Sequence, residues 1–163
     1  MRFCEYLRAT VMLLGASSIA LLVIAIGAIV REGSTLLMIV TLAWNALAVL
    51  IGMWLGRGAG AMESIRVLLS RSRPEPAFPV IEPGAVLLSR LWPVMTLALV
   101  AAIGSFWLES LPAVSAGYGL IWSLAWRKQP LAVEAIEDRD SVHFWIVRSP
   151  AMHQPKLVRV PAM

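Results

Sequence analysis

Few side chains in this sequence are equipped for chemistry. His143 and His153 are the only histidines, and Cys4 is the only cysteine. A tetrahedral zinc centre takes four nitrogen, sulfur or carboxylate donors. The histidines stand ten residues apart with no cysteine nearby, so carboxylates such as Glu134 or Asp140 would have to complete the set. The acidic group Glu134, Glu137, Asp138 and Asp140 lacks the spacing of a calcium loop and reads as a solvated turn. The lysine-bearing phosphate loop and the HExxH, GxSxG and CxxC signatures are missing. The glycines of Gly56-Arg57-Gly58-Ala59-Gly60 lack the lysine and preceding strand that phosphate binding requires, and read as a flexible helix exit. His143, as the base of a lipid-active membrane enzyme, would stand without a paired acid, nucleophile or metal. No catalytic residue, cofactor or metal ion is expected. Cys4 alone allows no intramolecular disulfide, and just ahead of an apolar run it is either a free thiol or an acylation site.

Two constellations remain. Thr41, Asn45, Ala48 and Gly52 follow helical spacing and put small and polar groups on one stripe. Such a stripe serves helix–helix packing, where small residues allow close approach and an amide bonds across the interface. Its other use is a substrate- or pore-facing surface. Phe144 and Trp145 are neighbours in a strand-like run, so they point to opposite faces and leave apolar surface on both. They are the candidate residues for docking a partner.

These residues must be positioned by an unusual chain. Of its 163 residues, 59% are hydrophobic and 15% charged, and the mean hydropathy is +0.77. Soluble domains are nearer half apolar and a quarter charged. The surplus lies in four uncharged stretches, which excludes an ordinary soluble enzyme, a disordered tail and a disulfide-stapled domain. The first span is Ala9–Val30 and the second runs from Ser34 to Gly56. Ala9–Val30 would reach about 33 Å as a helix, enough for a hydrocarbon core of about 30 Å. It is too long for the apolar part of a cleavable signal and is read as a retained span. The third span is Leu91–Leu108 and the fourth runs from about Leu111 to Trp126. These last two are slightly short, with Trp92, Trp107 and Trp126 at their ends to anchor them; a re-entrant hairpin is the alternative.

The connections Arg31–Ser34 and around Glu109 are so short that each pair of spans forms a tight antiparallel hairpin. Thirteen of the fourteen Lys and Arg residues then fall on the side of the termini and central loop, leaving only Arg31 opposite. The positive-inside rule makes that side cytoplasmic. Ala25-Ile26-Gly27 with Glu32 recurs as Ala102-Ile103-Gly104 with Glu109, a faint sign of a duplicated hairpin. No charged residue lies inside any of the four spans, which argues against proton pumping and ion-coupled transport by a single copy.

Between the hairpins, residues 57–90 combine a short amphipathic segment with a proline-rich extended linker. In the tail, residues 127–163, Leu131–Ile136 and Val142–Val147 read as strands and Lys156–Val160 as a third. The expected fold is therefore all-α and membrane-embedded. Residues 1–56 form a first hairpin, 91–126 a second, and the tail a small cytoplasmic β-hairpin or three-stranded meander. The net charge of +4 follows from the loop cations, and no nucleic-acid partner is expected. The setting is a bacterial-type cytoplasmic (inner) membrane with both termini cytoplasmic. The expected role is a non-catalytic scaffold, assembly factor or accessory subunit whose partners are the lipid bilayer and a protein or a second copy of the chain. The alternative is a small homo-oligomeric transporter or channel built around Thr41 and Asn45.

Overall fold

The structure, a computed structural model, describes residues 1–57, 65, 67, 69, 73–74, 83–108, 110–147 and 156–161. The expectations for residues 58–64 and 75–82, and for Arg66, Arg71, Glu109, Arg148 and His153, lie outside the described residues. The described chain is mostly helical with a small sheet. Its elements are α1 (Phe3–Glu32), α2 (Thr35–Leu55), β1 (Arg73–Pro74), α3 (Pro83–Gly104), α4 (Ser110–Trp126), α5 (Gln129–Asp140), β2 (Val142–Val147) and β3 (Lys156–Pro161). They form two compact units. One contains Met1–Thr10, Gly58–Pro93 and Trp126–Met163, and the other Val11–Arg57 and Val94–Ala125.

The helical unit follows from long apolar runs free of internal turn signals. At the end of α1, Gly33 takes φ +76°, a left-handed conformation that glycine adopts without strain, and its N–H bonds to the Ile29 carbonyl at 3.0 Å. Ser34 then caps α2, its hydroxyl oxygen accepting from the Leu37 N–H at 3.4 Å. Among the described residues two helices, α1 and α2, are long and apolar enough to cross a membrane. Only 28% and 22% of their most apolar stretches are buried, unlike the mostly covered core helix of a soluble fold. Branched aliphatic residues such as Val23, Leu36, Ile39 and Leu50 face outward instead.

The helix α4 is packed through small residues. Pro112, Ala113, Ala116, Gly117, Ser123 and Ala125 are buried along it. Ala116 meets Leu21 of α1 and Ala101 of α3 in one cluster. A Cβ added at Gly52 of α2 would stand 2.9 Å from Leu124 Cβ and 3.0 Å from the Ile121 backbone, so only glycine permits that approach. Two expectations about the second pair of helices need correcting. The helix α3 begins at Pro83, eight residues before Leu91, and ends at Gly104, four before Leu108. Proline is well suited to a helix start, where its missing amide proton has no partner to lose. Pro93, expected near the beginning, instead lies inside the helix. The repeated Ala-Ile-Gly motifs also differ in setting. Gly27 sits within α1 facing open space, whereas Gly104 ends α3 against Leu111.

The other unit is mixed. β2 and β3 form the antiparallel hairpin, with Phe144 opposite Arg159 and Trp145 opposite Val158. The third strand comes from the linker rather than the tail: β1 pairs in parallel with β3, giving the order β1-β3-β2. Arg2 bridges to Trp145 on the outer edge of β2, and the Ile146 N–H donates to the Met1 carbonyl at 3.2 Å. The core joins Phe3, Cys4 and Leu7 of α1, Ile65 and Leu69, Val133 of α5, Val142, Phe144 and Ile146 of β2, and Leu157 of β3.

The expected strand Leu131–Ile136 is instead the helix α5. Of its buried residues, Pro130, Ala132, Val133 and Glu137, the set Pro130, Val133 and Glu137 recurs at helical spacing. Pro130 suits the first turn. Ser141 closes the helix in the left-handed region at φ 49° while its N–H bonds to the Glu137 carbonyl. The 3.6-residue period therefore overrides the β-leaning composition, because it puts Pro130, Val133 and Glu137 on one covered face, whereas a strand would send Pro130 to the face opposite Val133.

Candidate functional site

The densest cluster of ionisable groups lies in the mixed unit, around Glu137. The last full turn of α5 carries this side chain inward until the residue is 2% exposed. A carboxylate so placed needs partners, because burying an unpaired charge costs several kcal/mol or more. Glu137 has them. Its Oε1 accepts the Phe144 backbone N–H at 2.8 Å, and its Oε2 accepts from Arg2 Nη2 at 3.2 Å. The same Arg2 nitrogen lies against the His143 ring, 2.6 Å from Nδ1 and 3.4 Å from Nε2, and Nδ1 stands 3.7 Å from Glu137 Oε2. The N–H of Arg2 is held in turn by Glu5 Oε2 at 3.2 Å.

The N-terminal segment thus meets the adjacent α5 and β2, far along the chain, at one carboxylate. The reading of Glu137 as part of a solvated turn is overturned: helix formation sends it inward while Glu134, Asp138 and Asp140 stay exposed. At the end of α5, the hydrogen bond from Arg139, at 2.8 Å, holds the Asp140 carboxyl below its ordinary range. Glu134 pairs with Arg8 at 3.7 Å on the surface, a contact worth little. Sequence reasoning missed Arg2 and Glu137; the available signal was Glu137 four residues after Val133 on the apolar side of α5.

The chemistry of this cluster is tethering. The imidazole of His143 is occupied by Arg2, and Cys4 is buried among apolar side chains at 9% exposure. That burial disfavours the reading of Cys4 as an acylation site. Among the described residues no group of three or more His, Cys, Asp and Glu side chains is arranged to hold a metal ion.

The predicted partner-docking pair separates. Phe144 is 3% exposed and fills the unit's own core, so it is not a surface contact. Trp145 is half-buried on the other face of β2, beside the Arg2 bridge.

In the helical unit, Thr41, Asn45, Ala48 and Gly52 are the buried residues of α2. Asn45 Nδ2 donates to the Thr41 carbonyl at 2.9 Å and to the Ala113 carbonyl of α4 at 3.4 Å. Its Oδ1 is buried with no hydrogen-bond partner among the described residues. Trp44 extends the contact, with Nε1 3.4 Å from the Val114 carbonyl and its ring edge-to-face with Tyr118 at 5.6 Å. Ser123 crosses to α1, donating to the Val11 carbonyl at 3.1 Å. A cavity of about 390 Å³ lies among α1, α3 and α4, lined by Leu14, Ser17, Leu21, Leu97, Tyr118 and Trp122 with five smaller or similar neighbours. No charged residue lines it. The Ser17 and Ser18 hydroxyls there are spent on the Leu14 carbonyl, at 3.0 and 2.6 Å.

Comparison with known protein families, curated proteins and solved structures gives no match.

Proposed function

We propose that this chain is a four-span integral membrane protein whose ends and central loop share the cytoplasmic side of a bacterial-type inner membrane. Its role is that of a non-catalytic scaffold or accessory subunit. The observation that carries the topology is the core of the mixed unit. Phe3 and Leu7 precede the first apolar run, Ile65 and Leu69 lie between the second and third, and Val133, Phe144, Ile146 and Leu157 follow the fourth. Side chains that share one core stand on one side of a bilayer. Each helix pair therefore crosses an even number of times, as two spanning hairpins would. The exposed apolar surface of α1 and α2 and the thirteen-to-one placement of Lys and Arg support the same arrangement. Trp107, at 77% exposure, suits an anchor at the far interface.

The scaffold role rests on what the ionisable and polar groups do. Glu137, Arg2 and His143 bind one another, and Asn45 bonds to α4, so both constellations are spent on assembly. A partner then meets the surface around Trp145 rather than Phe144. The test is purification from native membranes in mild detergent. A partner should co-purify with the wild-type chain and be lost with Trp145→Ala, whose own melting temperature is measured alongside. A chain that purifies alone, or keeps its partner after Trp145→Ala, contradicts this role. Reconstitution into vesicles addresses transport: ion or solute flux that disappears with Asn45→Leu, in a protein still correctly assembled, would replace the scaffold reading with a channel or transporter.

A further inference from the structure

We propose that the cavity among α1, α3 and α4 takes one acyl chain of a phospholipid from the cytoplasmic leaflet. The choice of leaflet rests on the topology proposed above; the cavity and its lining do not. Its volume, about 390 Å³, falls in the range of about 300–1,000 Å³ usual for ligand sites. The lining suits hydrocarbon: Leu14, Leu21, Val94 and Leu97 supply aliphatic walls, and no charged residue is present. The Ser17 and Ser18 hydroxyls turn back to the Leu14 carbonyl and ask nothing of an occupant. Ser115 and Tyr118 add two neutral hydroxyls, which give an ionised headgroup no counter-charge.

Depth and opening point to the occupant. At about 1.5 Å of rise per residue, the lining at 14–21 of α1 lies about 8–18 Å beyond Ala9, the start of the first apolar run. By the same rise, 94–98 of α3 lie about 5–11 Å beyond Leu91, and 115–122 of α4 about 6–17 Å before Trp126. Each helix thus places its share of the lining between its cytoplasmic end and about the middle of a hydrocarbon core about 30 Å thick. Three helices agree on one leaflet, although α4 runs opposite to the other two in the proposed topology. The mouth faces lipid rather than water. Leu97, Tyr118 and Trp122 are each more than half exposed, whereas Ser18 and Leu21 are buried at the floor. A partner helix does not match this shape, because a spanning helix covers a stripe about 30 Å long and the lining on α1 runs for only about 10 Å. A slender chain tethered to a headgroup at the interface reaches that depth without carrying a charge into it.

The test is native mass spectrometry of the full chain, reconstituted in vesicles of palmitoyl-oleoyl phosphatidylcholine and released into mild detergent. One phospholipid per chain should survive activation that strips the others. In Ala98→Phe and Ser115→Phe, whose rings enter the cavity, retention should fall about tenfold or more, since two methylenes left uncovered already amount to that. Val23→Phe, on the outward face of α1 and outside the lining, should retain lipid as the wild type does. A second measurement keeps the test open should the two cavity substitutions fold poorly. Phosphatidylcholine carrying a photoactivatable diazirine in mid-chain should label the wild-type lining, Leu97 and Tyr118 above all, in preference to Leu47 and Leu50 exposed on α2. No retained phospholipid, equal retention in Ala98→Phe and Ser115→Phe, equal labelling of Leu50, or an isoprenoid from the native membrane held in its place would overturn the site. External labelling of Asp138→Cys with retention unchanged would instead overturn the topology and the choice of leaflet, leaving the site.

Discussion

Glu137 decides more of the mixed unit than any other polar side chain. Replacing it by Ala leaves the Phe144 amide without its acceptor and Arg2 without its anion. Stranding a buried donor costs about 1–3 kcal/mol, and Arg2, at 37% side-chain exposure, adds less because water reaches it. Glu137→Ala should therefore lower stability by about that amount, read as a lower midpoint in denaturant unfolding followed by tryptophan fluorescence. An unchanged midpoint would mean the carboxylate is not buried as described. Gln at the same position keeps an acceptor for the amide and should fall between. The pH response of Asp140 is a smaller matter. Its carboxyl is held low by Arg139, so its contribution is present above the ordinary carboxylate range and fades as pH falls through the lower folded value. None of this was legible residue by residue. Arg2 and Glu137 are 135 positions apart, and only the folding of α5 and the return of β2 bring them together.

At the scale of elements, the sequence was readable wherever one period dominated. The stripe at Thr41, Asn45, Ala48 and Gly52 coincides with the buried face of α2, because helical spacing and residue size point the same way. The hairpin of β2 and β3 follows from β-branched alternation in Val142–Val147 and Lys156–Pro161. The α5 segment was misread because Leu131-Ala-Val-Glu-Ala-Ile alternates weakly enough to suit a strand, and its acidic end resembles a turn. The third strand was illegible for a different reason: two residues of a proline-containing linker carry no pattern of their own until β3 offers an edge. The correction has a direct test. Ala135 is exposed on α5, so Ala135→Gly touches no core contact and should cost about 1 kcal/mol through helix propensity alone. Thermal unfolding of the variant checks it; no destabilisation would argue against a helix there.

For the whole molecule, the proposed topology has two supports, one in the arginines and one in a core. The positive-inside rule favours the termini and the central loop on one side. The shared core of Phe3, Leu69, Phe144 and Leu157 supports the same proposal independently, since the same segments pack on one another. The second hairpin is the part of the proposal most in need of a test, because the 17 residues of α4 fall short of a comfortable crossing. Labelling addresses that point most directly. In a Cys4→Ser background, single substitutions Glu32→Cys, Phe106→Cys and Asp138→Cys are treated in intact spheroplasts with a membrane-impermeant maleimide. The account predicts that Glu32→Cys and Phe106→Cys are modified from outside, whereas Asp138→Cys reacts only after the membrane is opened. Modification of Asp138→Cys in intact spheroplasts, or protection of either hairpin position, would contradict it.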